Sequence, residues 1–183
     1  MHTLICGQTE SGKSTLAAYF ARSYVAAGRP VLILDPIGVG WPSGRGVLWT
    51  ADPDYFSYQA KRCRGALLVV DEAGEAVGTF QRQMQWVTTR SRHLGHSALL
   101  VAQRPPMVAP NVRNQCRRLY LFTLAPEDAK VCAVEWNAPV LRESPRLEQH
   151  FFLSVDRYGD AGLWESRPAG APVRVDTLPR MGL

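Results

Sequence analysis

Gly7, Gln8, Thr9, Glu10, Ser11, Gly12, Lys13 and Ser14 follow one another at the spacing G-x-x-x-x-G-K-[ST]. Glycines at those positions let the backbone turn so that successive N–H groups point inward and cradle phosphate oxygens. The N-terminus of a following helix adds its partial positive charge. Lys13 is placed to reach the β- and γ-phosphates of a nucleotide, Ser14 to offer its hydroxyl to Mg²⁺, and Thr15 to contact the α-phosphate. The surroundings suit the motif: an apolar strand, His2 to Cys6, precedes it, and a helix from Gly12 to about Ala27 follows.

Two further clusters can act on a bound nucleotide. The apolar run from Ala66 to Val70 ends in Asp71 and Glu72. Asp71, at the strand tip, can hold the Mg²⁺ shell, and Glu72 can polarise an attacking water. A general base aimed at water suggests hydrolysis rather than transfer to a small acceptor. The run from Ser97 to Ala102 ends in Gln103, with Arg104 and Pro105 after it. Gln103 is expected to hydrogen-bond the γ-phosphate or the lytic water and to report hydrolysis to the next loop.

The elements that position these residues alternate between strand and helix, which predicts an α/β fold with a mostly parallel sheet covered on both faces. Val31–Leu34 is a second strand, closed by Asp35 and Pro36, and a glycine- and proline-rich loop leads to a short strand at Val47–Thr50. Helices are expected at Pro53–Cys63, Thr79–Leu94 and Pro126–Trp136, and a further strand at Leu119–Leu124. Phe151–Val155 and Leu163–Glu165 flank Tyr158, Gly159 and Asp160 as a hairpin. Residues 168–183 hold few core-forming side chains. The expected division is a core over residues 1–150 with a β-rich extension over 151–183 in the same domain.

The composition suits one globular domain: 183 residues, 46% hydrophobic and 20% charged. No apolar run approaches the ~20 residues of a membrane span, and the opening residues lack a secretory pattern. Direct membrane insertion is therefore not expected. Cys6, Cys63, Cys116 and Cys132 form no C-x-x-C pair, which points to reduced, mostly buried thiols rather than disulfides or a zinc site. The net charge of +5 is compatible with a polyanionic partner but does not require one.

Taken in order, GQTESGKST, LILDP, LLVVDEAG and RSRHLGHSALLVAQRP resemble the FtsK/HerA superfamily of DNA-pumping ATPases, and the likeness continues through NVRNQCRRLYLF. It spans about residues 3 to 135, with the Q-R-P segment and Asp35–Pro36 as its discriminating parts. The resemblance implies a RecA-like (ASCE) P-loop NTPase fold, ATP and Mg²⁺ as cofactors, and action as a homo-oligomeric ring on double-stranded DNA. The small size is most like the genome-packaging ATPases of tailless, internal-membrane-containing viruses. That likeness implies capsid or packaging-vertex partners and a place in the host cytoplasm or at the virion vertex. It also implies an arginine reaching a neighbour's site, where a cation is worth ~10³–10⁵ in rate. Arg92 and Arg118 match best, with Arg90 and Arg117 as further candidates. For DNA contact, the loop from Pro36 to Gly46 with Trp41 and Arg45 stands beside a patch of Lys61, Arg62 and Arg64. Three alternatives remain: another motor of the superfamily for conjugation or phage export, a small-molecule phosphotransferase, and a nucleotide-binding module that barely hydrolyses ATP.

Overall fold

The structure, a computed structural model, describes residues 1–38, 40–73, 84–168 and 170–175. In chain order the strands are β1 (Thr3–Cys6), β2 (Val31–Leu34), β3 (Val47–Thr50), β4 (Leu67–Val70), β5 (Ser97–Ala102), β6 (Arg118–Leu121), β7 (Phe151–Asp156), β8 (Ala161–Glu165) and β9 (Val173–Val175). They form one sheet in the order β3-β2-β4-β5-β1-β6-β7-β8-β9. From β3 to β6 all neighbours are parallel, and β7, β8 and β9 continue the sheet antiparallel.

Each central strand is buried along its length, as continuous Val/Ile/Leu runs require when helices cover both faces. The period of two then divides the core. Ile5, Ile33, Val69, Leu99 and Val101 face Leu16, Ala17 and Ala21 of α1 (Lys13–Ala26). Leu4, Cys6, Leu34, Leu68, Leu100 and Leu121 belong to the second layer. That layer takes Phe56 and Ala60 from α2 (Pro53–Arg62), Val87 from α3 (Trp86–Thr89), Val112 from α4 (Pro110–Arg113), and Cys132 and Ala133 from α5 (Pro126–Glu135).

Local chemistry sets the element ends. Gly28, at φ 68, closes α1, with Gly28 N–H donating to Val25 O and Arg29 N–H to Tyr24 O, a Schellman pattern. The Asp52 carboxylate caps α2 by accepting from Asp54 N–H and Tyr55 N–H, and Pro53 takes the first helical position.

Most expected elements appear within a residue or two, and the main differences have local causes. The helix expected over Thr79–Leu94 falls partly outside the described residues. Its described part is α3, broken at Arg90 and followed by a 3₁₀ turn, Ser91–Leu94. There the Ser91 hydroxyl donates to the Val87 carbonyl, a local bond that competes with helix continuation, and Gly95 at φ 74 ends the turn. The strand expected to reach Leu124 ends at Leu121; beyond it the Thr123 carbonyl accepts Gln8 N–H from the glycine loop and the Thr123 hydroxyl donates to the Leu147 carbonyl. Pro139–Arg146, with prolines at both ends, forms a 3₁₀ helix that periodicity did not indicate. In the tail, β9 pairs along β8, and of the stretch 168–183, expected to hold few core-forming side chains, residues 169 and 176–183 lie outside the described residues.

The four cysteines are free, with Cys6, Cys116 and Cys132 buried. Burial pushes the Cys116 and Cys132 thiols up to about 12, which makes them inert. Among the described residues no helix is long and apolar enough to cross a membrane.

Candidate functional site

The parallel strands deliver their C-terminal ends to one edge of the sheet, where open α/β sheets hold their ligands. β1 runs into the glycine loop and α1. Its neighbour β5 ends at Gln103, and β4, one strand further out, ends at Asp71 and Glu72. Thr9, Glu10, Lys13, Ser14, Asp35, Ile37, Asp71, Glu72 and Gln103 line a single cavity of about 290 Å³. Seven of these nine are among the site residues expected from the sequence, Asp35 and Ile37 being the other two. Gly7, Gln8, Ser11, Gly12 and Thr15 belong to the same loop and helix start without lining the cavity.

Backbone geometry explains the glycines. Gly12 adopts φ 110, and α1 begins at the next residue. At Gly7, a Cβ would lie 2.5 Å from Phe122 Cβ and 2.9 Å from Ser11 Oγ. The loop is thus pressed against β6 with no room for a side chain. Glu10 also takes a left-handed conformation, at φ 63, so two residues of the loop, Glu10 and Gly12, share the reversal of the chain.

The Lys13 ammonium donates to the Gln8 carbonyl at 2.6 Å, which folds it back over the loop. Burial lowers its pKa, while the charges of Asp71 and Glu72 oppose that shift. Asp71 is pushed up to about 6, chiefly by burial and then by the carboxylates of Asp35 and Glu72, against the Glu72 N–H bond and Lys13. Glu72 sits at φ 48, with its N–H donating to Asp71 Oδ1 at 2.9 Å. This strained backbone turns the Glu72 side chain toward β5, where Gln103 Nε2 donates to Glu72 Oε1 at 3.4 Å. The two polar strand tips are therefore joined before any ligand arrives.

The sequence marks Asp35 as the end of β2 and as half of the Asp35–Pro36 pair that carries the resemblance, without implying a place for it in the site. The register pairs Leu34 with Val70, which sets Asp35 beside Asp71. Its carboxylate is 3% exposed and accepts from Ile37 N–H and Gly38 N–H, each at 2.9 Å, and from the Trp41 indole N–H at 2.6 Å. It therefore shapes the loop beyond β2 while adding negative charge to the cavity. A strand-terminal acid on the strand beside the Asp-Glu strand was the available signal, but the pairing of β2 with β4 is a tertiary fact.

The two arginines expected to serve a neighbouring subunit do not approach the cavity in their own chain. Arg118 pairs in register with Thr3, at the end of β1 away from the glycine loop. Arg117 and Arg118 both bind the Asp156 carboxylate, at 3.1 and 3.2 Å. Arg92 is exposed and reaches Gln115 Oε1 at 3.3 Å. Arg90 lines a separate polar groove with Lys61, Trp86 and His93. The Lys61 ammonium lies 5.3 Å from the Trp86 ring centroid, and the Arg62 guanidinium 5.1 Å from that of Tyr58.

An oxygen-rich donor set, formed by the Ser14 hydroxyl and the Asp71 carboxylate beside Glu72, suits Mg²⁺. The glycine loop and Lys13 suit phosphate. The residues present therefore fit a magnesium nucleotide.

No protein-family model and no curated protein sequence matches the chain. Solved structures do. The DNA-packaging ATPase B204 from Sulfolobus Turreted Icosahedral Virus aligns over 92% of this chain and 98% of its own, with a TM-score of 0.74 and 19% identity. The genome packaging NTPase B204 from Sulfolobus turreted icosahedral virus 2 in complex with ATP-gammaS aligns over 88% and 95%, with a TM-score of 0.73 and 20% identity. The pCW3 conjugation coupling protein TcpA, also bound to ATPgS, aligns over 90% of this chain and 59% of its own, with a TM-score of 0.70 and 16% identity. These matches define the class: the fold is that of the P-loop ATPases. Within that class, the likeness to FtsK/HerA-type ATPases read from the sequence is borne out as a structural match to B204 and TcpA.

Proposed function

We propose that the chain is an ATP-hydrolysing motor that moves double-stranded DNA, and that its cargo is a viral genome driven into a preformed capsid. The observation that carries the reading is the meeting of Lys13, Asp71, Glu72 and Gln103 in one cavity, with Glu72 and Gln103 already in contact. Gln8 N–H is held by the Thr123 carbonyl and Ser11 N–H by the Gln8 carbonyl, so the N–H groups of Thr9, Glu10, Gly12 and Lys13 cradle the phosphates, and the Lys13 ammonium exchanges the Gln8 carbonyl for the β- and γ-phosphates. Ser14 and Asp71 would hold the magnesium ion, which would supply positive charge against the phosphate oxygens. Glu72 orients water for in-line attack and takes its proton, and Gln103 holds Glu72 in place and senses the γ-phosphate.

A phosphotransferase would need a pocket for its acceptor beside the γ-phosphate, whereas the strand tips facing Lys13 carry Glu72 and Gln103, which suit activation of water. The packaging cargo is supported by the alignment of nearly the whole chain with B204. The match to TcpA supports the second reading, an export motor of the same mechanical class acting in conjugation. In either case we propose a homo-oligomeric ring in the host cytoplasm, with Arg92 or Arg118 serving a neighbouring site and capsid or packaging-vertex proteins as the docking partner.

Steady-state ATP hydrolysis with and without long double-stranded DNA tests the proposal. DNA should stimulate turnover. Glu72→Gln should abolish turnover while preserving ATP binding, and Lys13→Ala should weaken binding itself. Turnover indifferent to DNA in an assembled ring would overturn the motor reading.

A further inference from the structure

Among the described residues, the groups assigned to catalysis occupy one side of the glycine loop. Lys13 is flanked by Gln103 on β5 and by Asp71 and Glu72 on β4, so the γ-phosphate of a nucleotide must point that way. With its phosphates along the N-terminus of α1, the ligand then carries its sugar and base in the opposite direction, over β6 and β7. The chain found on that side is the segment that leads into β7.

That segment holds the glycine loop from outside. Gln149 Nε2 donates to the Glu10 carbonyl at 3.0 Å, and His150 N–H donates to the Ser11 carbonyl at 3.0 Å. The His150 carbonyl in turn accepts Ser166 N–H at 2.8 Å, from the chain just past β8. The part of the bracing that His150 supplies thus comes from its main chain, beside the Gln149 side chain. Its φ of 72 is a conformation that glycine or asparagine would hold at lower cost. The ring lies against the loop: a Cβ on Gly12 would come 3.0 Å from His150 Nδ1. Nδ1 is covered and has no hydrogen-bond partner, although the residue as a whole is half-exposed. Nothing in the bracing needs an imidazole, yet an imidazole is packed beside the last glycine of the loop.

We infer that Gln149 and His150 form the wall of the nucleoside subsite, with the His150 ring contacting the ribose or base of a bound nucleoside triphosphate and Gln149 fixing the loop apex beneath it. The inference rests on the nucleotide-binding reading and extends it to the half of the ligand that the glycine loop does not touch. The group recognised is the nucleoside, not the phosphate chain.

Calorimetric titration of the full chain with magnesium ATP and with magnesium tripolyphosphate separates the two halves of the ligand. His150→Gly keeps the φ and the bracing N–H while removing the ring. His150→Asn is a second variant that also tolerates the backbone, and Gln149→Ala removes the loop contact. His150→Gly and His150→Asn should each weaken ATP roughly tenfold and leave tripolyphosphate unchanged. Equal losses for both ligands would show that the segment only braces the loop, and unchanged ATP affinity would show that the ring touches nothing. Either result overturns the inference while the phosphate site stands. Should wild-type protein bind neither ligand, or Lys13→Ala bind ATP as tightly as wild type, the nucleotide reading itself fails.

Discussion

Replacing Arg113 with methionine tests how far the loop behind Gln103 depends on one buried cation. The Arg113 side chain is 10% exposed and that of Glu135 is 18% exposed, with Nε 2.9 and 3.0 Å from the two carboxylate oxygens. Its Nη1 also donates to the carbonyls of Pro105 and Val108, in the loop that follows Gln103. Methionine keeps the apolar stem but strands the Glu135 carboxylate and removes the donor from both carbonyls. Breaking a buried pair from one side costs about 3–5 kcal/mol; the Val108 carbonyl left dry adds about 1–3 kcal/mol, whereas the Pro105 carbonyl keeps the Val108 N–H at 3.1 Å. Because water reaches the partly exposed carboxylate, we expect a net loss of about 4 kcal/mol, a large share of a stability of about 5–15 kcal/mol. Urea unfolding followed by circular dichroism reads this directly. A double variant, Arg113→Met with Glu135→Leu, should recover more than half of the loss, since an apolar pair removes the stranded charge. In the single variant, turnover at saturating ATP should fall with little change in KM, because the loop positions Gln103 rather than binding phosphate. A loss below about 1 kcal/mol, or a double variant no more stable than the single one, would refute this account of the network.

Three further outcomes follow from the geometry. Gly7→Ala should abolish ATP binding or force the loop away from β6, because the new methyl would sit 2.5 Å from Phe122 Cβ; calorimetry with ATP checks this. His2 is held neutral, with a pKa of about 4 against 6.5 unfolded, through burial first and then the charges of the Met1 ammonium and Arg92. Its contribution is complete above pH 6.5 and is lost as the pH falls toward 4, costing about 2 kcal/mol at pH 5. Asp71 acts in the opposite sense, since its raised pKa favours the folded state at low pH, so melting curves of wild type must be compared with His2→Asn to isolate the histidine. That variant should show the shallower loss between pH 7 and 5. Asp35→Asn removes a negative charge beside Asp71, so the acid limb of the ATPase pH profile should move to lower pH; an unmoved limb would show that Asp35 acts only on its loop.

Local chemistry was legible in the sequence because it is written in contiguous residues. The loop from Gly7 to Ser14 carries its own turn-forming glycines, cation and hydroxyl. The apolar runs before Asp71 and Gln103 announce buried strands whose next residue must emerge at the sheet edge. Helix α2 displays its cap and its proline in consecutive positions, and Gly28 marks the end of α1. Such features depend on backbone torsions and on hydrogen bonds across a few residues, so spacing alone reveals them.

Strand order was another matter. Only the assembled sheet places β5 between β1 and β4, bringing Gln103 within reach of Glu72 across 31 residues of chain. The pairing of β2 with β4 likewise makes Asp35 part of the cavity, and the antiparallel return of β7 sets Gln149 and His150 against the glycine loop, 139 residues after the carbonyl that Gln149 binds. Arg113 and Glu135 likewise meet only when α5 packs on the sheet. These contacts come from burial of whole faces and from the register of non-local strands. Many partners could satisfy each residue locally, and the packing of the complete core selects one.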